Sequence, residues 1–249
     1  MSLSITVLGS SGTYPGPGTS CSGYLLRTAA TTVWLDCGTG SLARLQEHLD
    51  LVDLDGVVCS HAHPDHWLEL PVAVNALRYG MDAPESGIPV YWTEATAELF
   101  ARVSGRPPEP TFVSHVVDED ARVTIGDIDV RFSRTDHSVE TLAVRADAAG
   151  RSIAYSADTG NGWELASLGA DIDIAVVEAT LDEDEADQVP HLTASQAGSQ
   201  AARAGVASLV LTHLAPGSDP DARRRAAAAA YDGPIVVAAA GDTYSTDDT

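Results

Sequence analysis

Lysine is missing from this chain, and positive charge of any kind is scarce. All 14 basic residues are arginine and face 36 acidic residues, which gives a formal net charge of −22 at pH 7. A surface with this balance repels polyanions at long range, so the sequence argues against RNA or DNA as a partner. The one basic cluster, Arg223-Arg224-Arg225, falls on a predicted helix and is typical of a solvated helix face.

Cysteine is also scarce, and no stretch of the sequence stays apolar for long. The three cysteines, Cys21, Cys37 and Cys59, show no CxxC spacing, which argues against a disulfide framework and favours a reducing compartment. Apolar runs such as Leu209–Leu211 are too short to cross a bilayer, and no secretory leader precedes the first predicted strand. We therefore expect a cytoplasmic protein with no membrane segment.

What the sequence does contain is a succession of β-branched runs and helical patterns with no linker or repeat between them. Strands are predicted at 4–8, 23–27, 32–36, 56–60, 90–92, 123–125, 128–133, 141–145, 152–156, 172–178, 208–212 and 235–238. Helices are predicted at 41–48, 66–79, 96–104, 162–168, 193–204 and 219–231. Together they predict an α/β fold in a single domain over residues 1–249, with two sheets packed face to face and helices outside.

The segment His61-Ala62-His63-Pro64-Asp65-His66 is the strongest chemical signal in the sequence. It directly follows the apolar run Val57–Cys59, and the side chains of an H-x-H pair leaving a strand share one face. Three imidazoles and a carboxylate suit a divalent ion such as zinc. A histidine-rich surface loop is the plain alternative, and the ordered set of ligand types after a buried strand argues against it.

Three further candidate ligands each come just after a predicted strand. These are His137, Asp158 and His213. Each taken alone would more often be a surface or capping residue. As a set they indicate a metal site built at one edge of a sheet.

The pattern His61-x-His63-x-Asp65-His66 with downstream His137, Asp158 and His213 resembles that of the metallo-β-lactamase superfamily. Leu35-Asp36-Cys37-Gly38 matches the family's first motif, whose aspartate orients the ligand loop and is not itself a ligand. The resemblance covers nearly the whole chain and implies a four-layered αβ/βα sandwich with the site at one sheet edge.

The resemblance also implies a ligand set for two divalent metal ions, zinc in the first place and manganese as the other candidate. Its members are His61, His63 and His137 on one ion, Asp65, His66 and His213 on the other, and Asp158 bridging both. Two dications lower the pKa of a water held between them and provide a hydroxide that attacks an ester. Phosphodiesters, lactones, sulfate esters and thioesters all suit such a centre.

Two further segments narrow the choice among these esters. They are Glu178-Ala179-Thr180 and His191-Leu192-Thr193, which resemble paired motifs of RNase Z and related phosphodiesterases. In that branch the glutamate holds the histidine, and the histidine protonates a leaving alkoxide. Leu192 departs from the family's His-Ser-Thr motif. We predict Asp65, Glu178 and His191 as catalytic residues; in the alternative reading His191 caps a helix and Glu178 simply ends a strand.

Two observations argue against a true RNase Z. The segment between His137 and Asp158 is too short for the long tRNA-binding arm of bacterial RNase Z, and no basic patch replaces it. The overall match is to armless hydrolases related to cyclic nucleotide phosphodiesterases.

The leading hypothesis is therefore hydrolysis of a small phosphodiester such as a 3′,5′-cyclic nucleotide. The alternatives are a hydrolase of a lactone, aryl sulfate or thioester, a metal-binding protein that has lost catalysis, and a tRNA 3′-processing endonuclease. We expect a small-molecule substrate and no membrane partner. A homodimer is possible, although no decisive interface stripe is visible.

Overall fold

Fourteen strands build two mixed sheets of seven strands each in this computed structural model, which describes residues 2–81 and 84–249. The first sheet contains β1 (Ser4–Gly9), β2 (Gly23–Arg27), β3 (Thr32–Cys37), β4 (Gly56–Val58), β5 (Ile88–Trp92), β6 (Phe112–Val116) and β14 (Thr243–Ser245), in the order β14-β1-β2-β3-β4-β5-β6. The second contains β7 (Arg122–Ile125), β8 (Ile128–Arg134), β9 (Leu142–Ala148), β10 (Arg151–Tyr155), β11 (Ile174–Glu178), β12 (Ser208–Thr212) and β13 (Ile235–Val237), in the order β13-β12-β11-β10-β9-β8-β7.

Helices cover the outer face of each sheet. The helices α1 (Ser41–Leu45), α2 (Pro64–Trp67), α3 (Leu70–Tyr79) and α4 (Glu94–Ser104) pack on the first sheet, and α5 (Ala194–Ala204) and α6 (Pro220–Ala228) pack on the second. A third apolar cluster fills the space between the sheets, with Leu35 and Val58 from one sheet and Val130 and Ile174 from the other. These layers confirm the predicted four-layered αβ/βα sandwich.

The structure corrects several predicted elements. The strands β6 and β14 were not predicted, and β14 pairs with β1, so the polar tail begins inside the sheet. The predicted helix 66–79 is divided into α2 and α3, because Pro71 lies at the start of the second helix and cannot continue the hydrogen bonds of the first. The predicted helix 162–168 is a 3₁₀ turn at Leu165–Leu168. Thr193 and Asp219 cap α5 and α6, since their side chains accept backbone hydrogen bonds from the first turns.

The strand order places the candidate ligands together. β10, β11 and β12 run parallel, so their carboxyl ends meet at one edge of the second sheet. Asp158, Glu178 and His213 come from those three ends, and His61 follows β4 in the first sheet. The three cysteines are buried and free. Among the described residues, no helix combines the length and apolar character that a bilayer crossing requires.

One close contact between helices can be tested directly. A Cβ on Gly198 of α5 would lie 2.5 Å from the carbonyl oxygen of Ala227 of α6. Gly198→Ala gains about 1 kcal/mol of helix propensity, but overpacking against backbone costs about 1–3 kcal/mol. We expect a net loss in the free energy of unfolding, measured by urea denaturation. Ala202→Gly, at an exposed position of the same helix, reports propensity alone; an unchanged or higher stability of Gly198→Ala would refute the contact.

Candidate metal centre

The seven predicted ligands converge in two groups at this edge. Ligand atoms of His61, His63, His137 and Asp158 lie within 4.8 Å of one another, and those of Asp65, His66 and His213 form a second such group. Asp158 also falls within 4.8 Å of His191 and His213. Each group can hold a metal ion, so the convergence predicted from separate strand ends is present.

Ring nitrogens of different histidines face one another across the site. His63 Nδ1 lies 3.2 Å from His61 Nε2 and 3.1 Å from His137 Nε2. His66 Nε2 lies 3.2 Å from His213 Nε2. Neutral rings that direct lone pairs at one another repel, so such pairs are stable when a cation lies between them.

The opposite nitrogens of four of these rings settle which tautomer each ring adopts. His66 Nδ1 lies 2.7 Å from Asp36 Oδ2, and His137 Nδ1 lies 3.0 Å from the carbonyl oxygen of Pro190. Both partners only accept hydrogen bonds, so Nδ1 donates. The Nδ1 atoms of His61 and His213 lie 2.9 Å from the hydroxyls of Ser60 and Thr180, respectively. With Nδ1 protonated, each Nε2 is left as a bare ligand atom, which is the arrangement typical of metal-binding histidines.

Asp158 lies between the two groups. Its Oδ2 is 3.5 Å from His61 Nε2 and 3.7 Å from His137 Nε2, while its Oδ1 is 3.4 Å from His66 Nε2 and 3.3 Å from His213 Nε2. Oδ1 is buried and makes no hydrogen bond within the described part of the chain. A buried carboxylate oxygen without a donor is costly. The donor set therefore fits divalent metal ions.

The charges in the site agree with this chemistry. Burial would raise the pKa of Asp158, but its contacts with His213, His66 and His61 hold it well below its usual range. Burial opposes ionisation of Asp65 as well, and its contacts with His213 and His66 lower its pKa below its usual range. Burial also lowers the pKa of His61, which keeps its ring neutral. Ionised carboxylates and a neutral imidazole are the forms that bind metals.

Asp36, at the end of β3, orients the ligand loop from behind. Its Oδ1 accepts a hydrogen bond from the backbone N–H of Ser60 at 2.7 Å. Its Oδ2 accepts from the Ser60 hydroxyl at 2.8 Å, from His66 Nδ1 at 2.7 Å and from the Tyr155 hydroxyl at 2.9 Å. Tyr155 belongs to the second sheet, so one fully buried carboxylate joins the ligand loop to both halves of the molecule.

Strained backbone marks the same region. The φ angles of Thr13 (64°), Asp36 (54°), Ala157 (51°) and His213 (56°) lie in the left-handed region that side chains other than glycine rarely adopt. One of these residues, His213, is a predicted ligand, and Ala157 directly precedes another. Asp36 and Thr13 form hydrogen bonds with predicted ligands. Thr13, for instance, donates its backbone N–H to Asp65 Oδ2 at 2.7 Å. Such strain persists where surrounding contacts over-determine it, as functional sites require.

Glu178 and His191 form a pair beside the metal groups. Glu178 Oε1 accepts from His191 Nδ1 at 2.8 Å, and the same oxygen accepts from the backbone N–H of Thr159 at 2.7 Å. Burial alone would lower the pKa of His191, but the hydrogen bond and charge of Glu178 raise it to about 9. The ring of His191 stacks on that of His213 at 5.6 Å between centroids. Its Nε2 makes no hydrogen bond within the described residues.

Thr180 was not predicted as a functional residue, yet it joins this pair to a ligand. Its hydroxyl lies 2.6 Å from Glu178 Oε2 and 2.9 Å from His213 Nδ1. A hydroxyl has one proton, which goes to the carboxylate, so the oxygen accepts from the His213 ring. Thr180 lies in the motif Glu178-Ala179-Thr180, but the motif does not show the contact with His213, which comes from a different strand end.

Other sequence details also find an explanation here. Leu192, which departs from the family motif, contributes only its backbone N–H to Glu178 Oε2 at 3.2 Å, while its side chain packs in the core. A leucine therefore serves as well as a serine at that contact. Trp163, five residues after Asp158, is buried in the same cluster. Trp67 donates Nε1–H to the carbonyl of Ala62 at 2.9 Å and so ties α2 to the ligand loop.

Comparisons with known proteins agree with this geometry. Residues 31–214 match the family described as "Beta-lactamase superfamily domain". An uncharacterized protein of Mycobacterium tuberculosis is 34% identical over 253 residues, covering 98% of this chain and 92% of that protein. A probable metallo-hydrolase of Bacillus subtilis, YhfI, is 27% identical over 246 residues, covering 96% of this chain and 98% of its own length.

Solved structures agree as well. The crystal structure of YhfI, described as a metallo-β-lactamase fold protein, superposes with a TM-score of 0.90 at 25% identity, covering 98% of this chain and all of that one (100%). Human tRNase Z, short form, superposes with a TM-score of 0.77 at 21% identity, covering 97% and 98% of the two chains, which shows likeness of fold.

The Asp36 contacts predict an effect of Tyr155 on metal affinity. In Tyr155→Phe the carboxylate loses the hydroxyl that fixes it from the second sheet, so His66 is less firmly oriented. We expect metal affinity to fall about tenfold, measured by competition with a chromophoric chelator. Tyr24→Phe is the matched control, because its hydroxyl is equally buried but pairs with Thr212. Equal affinities in Tyr155→Phe and the unmodified protein would refute this role.

Thr180 leads to a second prediction. Thr180→Val keeps the shape but leaves His213 Nδ1 and Glu178 Oε2 without their shared partner. We expect metal affinity to fall about 10–100-fold, while Thr180→Ser restores most of it because the hydroxyl returns. Titration with zinc monitored by calorimetry measures both. A Thr180→Val protein that binds as tightly as Thr180→Ser would contradict the assignment.

Proposed function

This chain belongs to the metallo-β-lactamase superfamily, in its RNase Z-like branch, and we propose that it is a dinuclear phosphodiesterase acting on a small substrate such as a 3′,5′-cyclic nucleotide. Membership of this superfamily makes it a metal-dependent hydrolase. In the proposal, the ions are zinc or manganese. His61, His63 and His137 would hold one, Asp65, His66 and His213 would hold the other, and Asp158 would serve both.

The observation that carries this proposal is the Glu178–His191 pair next to the ligand groups. Glu178 accepts from Nδ1 at 2.8 Å and thereby directs Nε2–H away from itself. Five hydrogen bonds to the Glu178 carboxylate hold it in place, from the backbone of Thr159, Thr180 and Leu192 and the side chains of Thr180 and His191. A fixed imidazole of this kind suits a general acid.

The division of work follows from these positions. When bound, the metal ions supply Lewis acidity and lower the pKa of water at the site. His191 donates the Nε2 proton to the leaving oxygen, and Glu178 stabilises the ring in its charged form. An alkoxide is a poor leaving group, so a phosphodiester of an alcohol benefits most from this proton. Asp65 is the ionised partner of His213. A more direct catalytic role for Asp65 stays a prediction.

A small substrate fits the surroundings better than RNA. Between His137 and Asp158 the chain contains only a bridge at Thr141 and the β9–β10 hairpin, with no inserted arm. The net charge of −22 opposes the approach of a polyanion. Arg223 is buried and engaged with the carbonyl of Thr180 and the carboxylate of Asp182, so it is not part of a surface patch for RNA.

The non-phosphate esters remain the second candidate. A thioester or an aryl sulfate has a good leaving group and needs little protonation, which leaves the Glu178–His191 pair without a task. We also propose that the protein acts as one catalytic domain over residues 1–249, in the cytoplasm, where the buried free cysteines stay reduced. A homodimer is compatible with all of this.

The pair predicts a dependence on the leaving group. In His191→Ala we expect kcat for 3′,5′-cyclic AMP to fall about 10²–10⁴-fold, because the alkoxide leaves unprotonated. For bis(4-nitrophenyl) phosphate, whose leaving group is a stabilised phenolate, the loss is smaller. Turnover of both substrates by zinc- or manganese-loaded protein, with metal content determined in parallel, makes the measurement.

His115→Ala is the matched control, since His115 is an exposed histidine on β6 that stacks on Tyr91. It should leave both activities unchanged. Equal losses on both phosphodiesters at unchanged metal content would argue that His191 is structural. A loaded protein that cleaves a lactone or an aryl sulfate but neither phosphodiester would establish the second candidate instead.

A further inference from the structure

The segment Gly12–Thr19, here called the rim loop, crosses directly beside the metal centre. Thr13 donates its backbone N–H to Asp65 Oδ2 at 2.7 Å. A Cβ on Gly12 would lie 2.7 Å from Nδ1 of His213, so the backbone passes against that ring with no room for a side chain. The rim loop is thus attached to two candidate ligands of the same ion.

The rim loop is also closed on itself. The Ser11 hydroxyl and the Gly16 N–H both donate to Thr19 Oγ1 at 2.8 Å, and the Tyr14 N–H donates to the carbonyl of Gly12 at 2.7 Å. Pro15 and Pro17 remove two further rotations of the backbone. These contacts hold the loop in one conformation before any ligand binds.

Tyr14 stands at the surface of this rigid loop. Its side chain is 55% exposed, although the phenol ring is large and apolar. Its backbone follows immediately after the N–H that contacts Asp65. Because the loop contacts fix the backbone at Tyr14, a flat group that stacks on the ring restricts only the side chain of this residue.

The other side of the centre has its own apolar wall. Val189, 50% exposed, precedes Pro190, whose carbonyl accepts from His137 Nδ1. The carbonyl of Val189 accepts from the N–H of His191 at 2.7 Å. Tyr14 therefore adjoins the residue that contacts Asp65, and Val189 adjoins the residue that contacts His137.

We propose that Tyr14 determines specificity by stacking on an aromatic base, so that the substrate is a nucleotide and not a base-free phosphodiester. This rests on the proposed phosphodiesterase function. Recognition by stacking suits a chain without lysine, because aromatic stacking requires no cation at the rim. The Tyr14 ring makes no contact with the reacting atoms in this scheme; it binds the part of the substrate that does not react.

The test compares Tyr14→Ala, Tyr14→Phe and the unmodified protein, all metal-loaded, on 3′,5′-cyclic AMP. Stacking present equally in the ground and transition states changes KM and leaves kcat alone. We expect KM to rise about tenfold or more in Tyr14→Ala, and Tyr14→Phe to match the unmodified protein. With ribose 3′,5′-cyclic phosphate lacking the base, the difference between Tyr14→Ala and the unmodified protein should vanish.

Tyr79→Ala is the control, because Tyr79 is a 75% exposed tyrosine on α3 that contacts Arg106 and no part of the centre. Equal KM values for cyclic AMP in Tyr14→Ala and the unmodified protein would overturn the inference and leave the proposed function intact. Absence of turnover on every phosphodiester would overturn the proposed function. Calorimetric titration with 5′-AMP then decides on Tyr14: weaker binding to Tyr14→Ala supports stacking, and equal or absent binding excludes it.

Discussion

The burial of one charge, the carboxylate of Asp36, is the constraint on which the rest of the structure depends. A buried carboxylate is tolerated only when every lone pair finds a donor, since an unpaired charge in the interior costs several kcal/mol. Asp36 obtains its donors from Ser60 and His66 on one side and from Tyr155 of the second sheet on the other. The Asp36 carboxylate therefore requires both sheets and the ligand loop to be in place, and the same hydrogen bonds orient His66.

The same logic repeats behind the other rings. Ser60 donates its only hydroxyl proton to Asp36 and so must accept from His61; Thr180 donates to Glu178 and so must accept from His213. In both cases a carboxylate that touches no metal determines which nitrogen of a histidine is free. The positive φ angles of Asp36 and His213 are tolerated because these hydrogen bonds hold the residues from several directions. The hydrogen bonds to the buried carboxylates thus account both for the orientation of the candidate ligands and for the strained backbone.

The candidate ligands could be predicted from sequence because they lie in a short ordered segment and at the ends of apolar strands. Their partners were not, because Tyr155, Thr180 and Thr13 come close to the site only through the packing of the sheets. β14 is three residues long and polar, and it is a strand because it pairs with β1 from the other end of the chain. The local sequence therefore does not predict it. β6 lies at a sheet edge, where half-exposed residues blur the alternation of a strand. Pro71 could have indicated the break between α2 and α3. The apolar pattern continues across this residue, however, and therefore predicted one helix.

The choice of substrate depends on the residues around the candidate ligands, such as Thr180, Glu178 and His191, and not on the ligands themselves. The seven candidate ligands would be compatible with many esters, since a dinuclear centre acts on any polarised oxygen. Thr180, however, contacts His213 and Glu178 with the same hydroxyl, so the protonation of His191 and the orientation of a ligand cannot be adjusted separately. A centre evolved for thioesters or aryl sulfates has no use for that coupling and would be free to lose it. Its presence here, in full hydrogen-bonding geometry, is the reason to favour a substrate whose leaving group needs a proton.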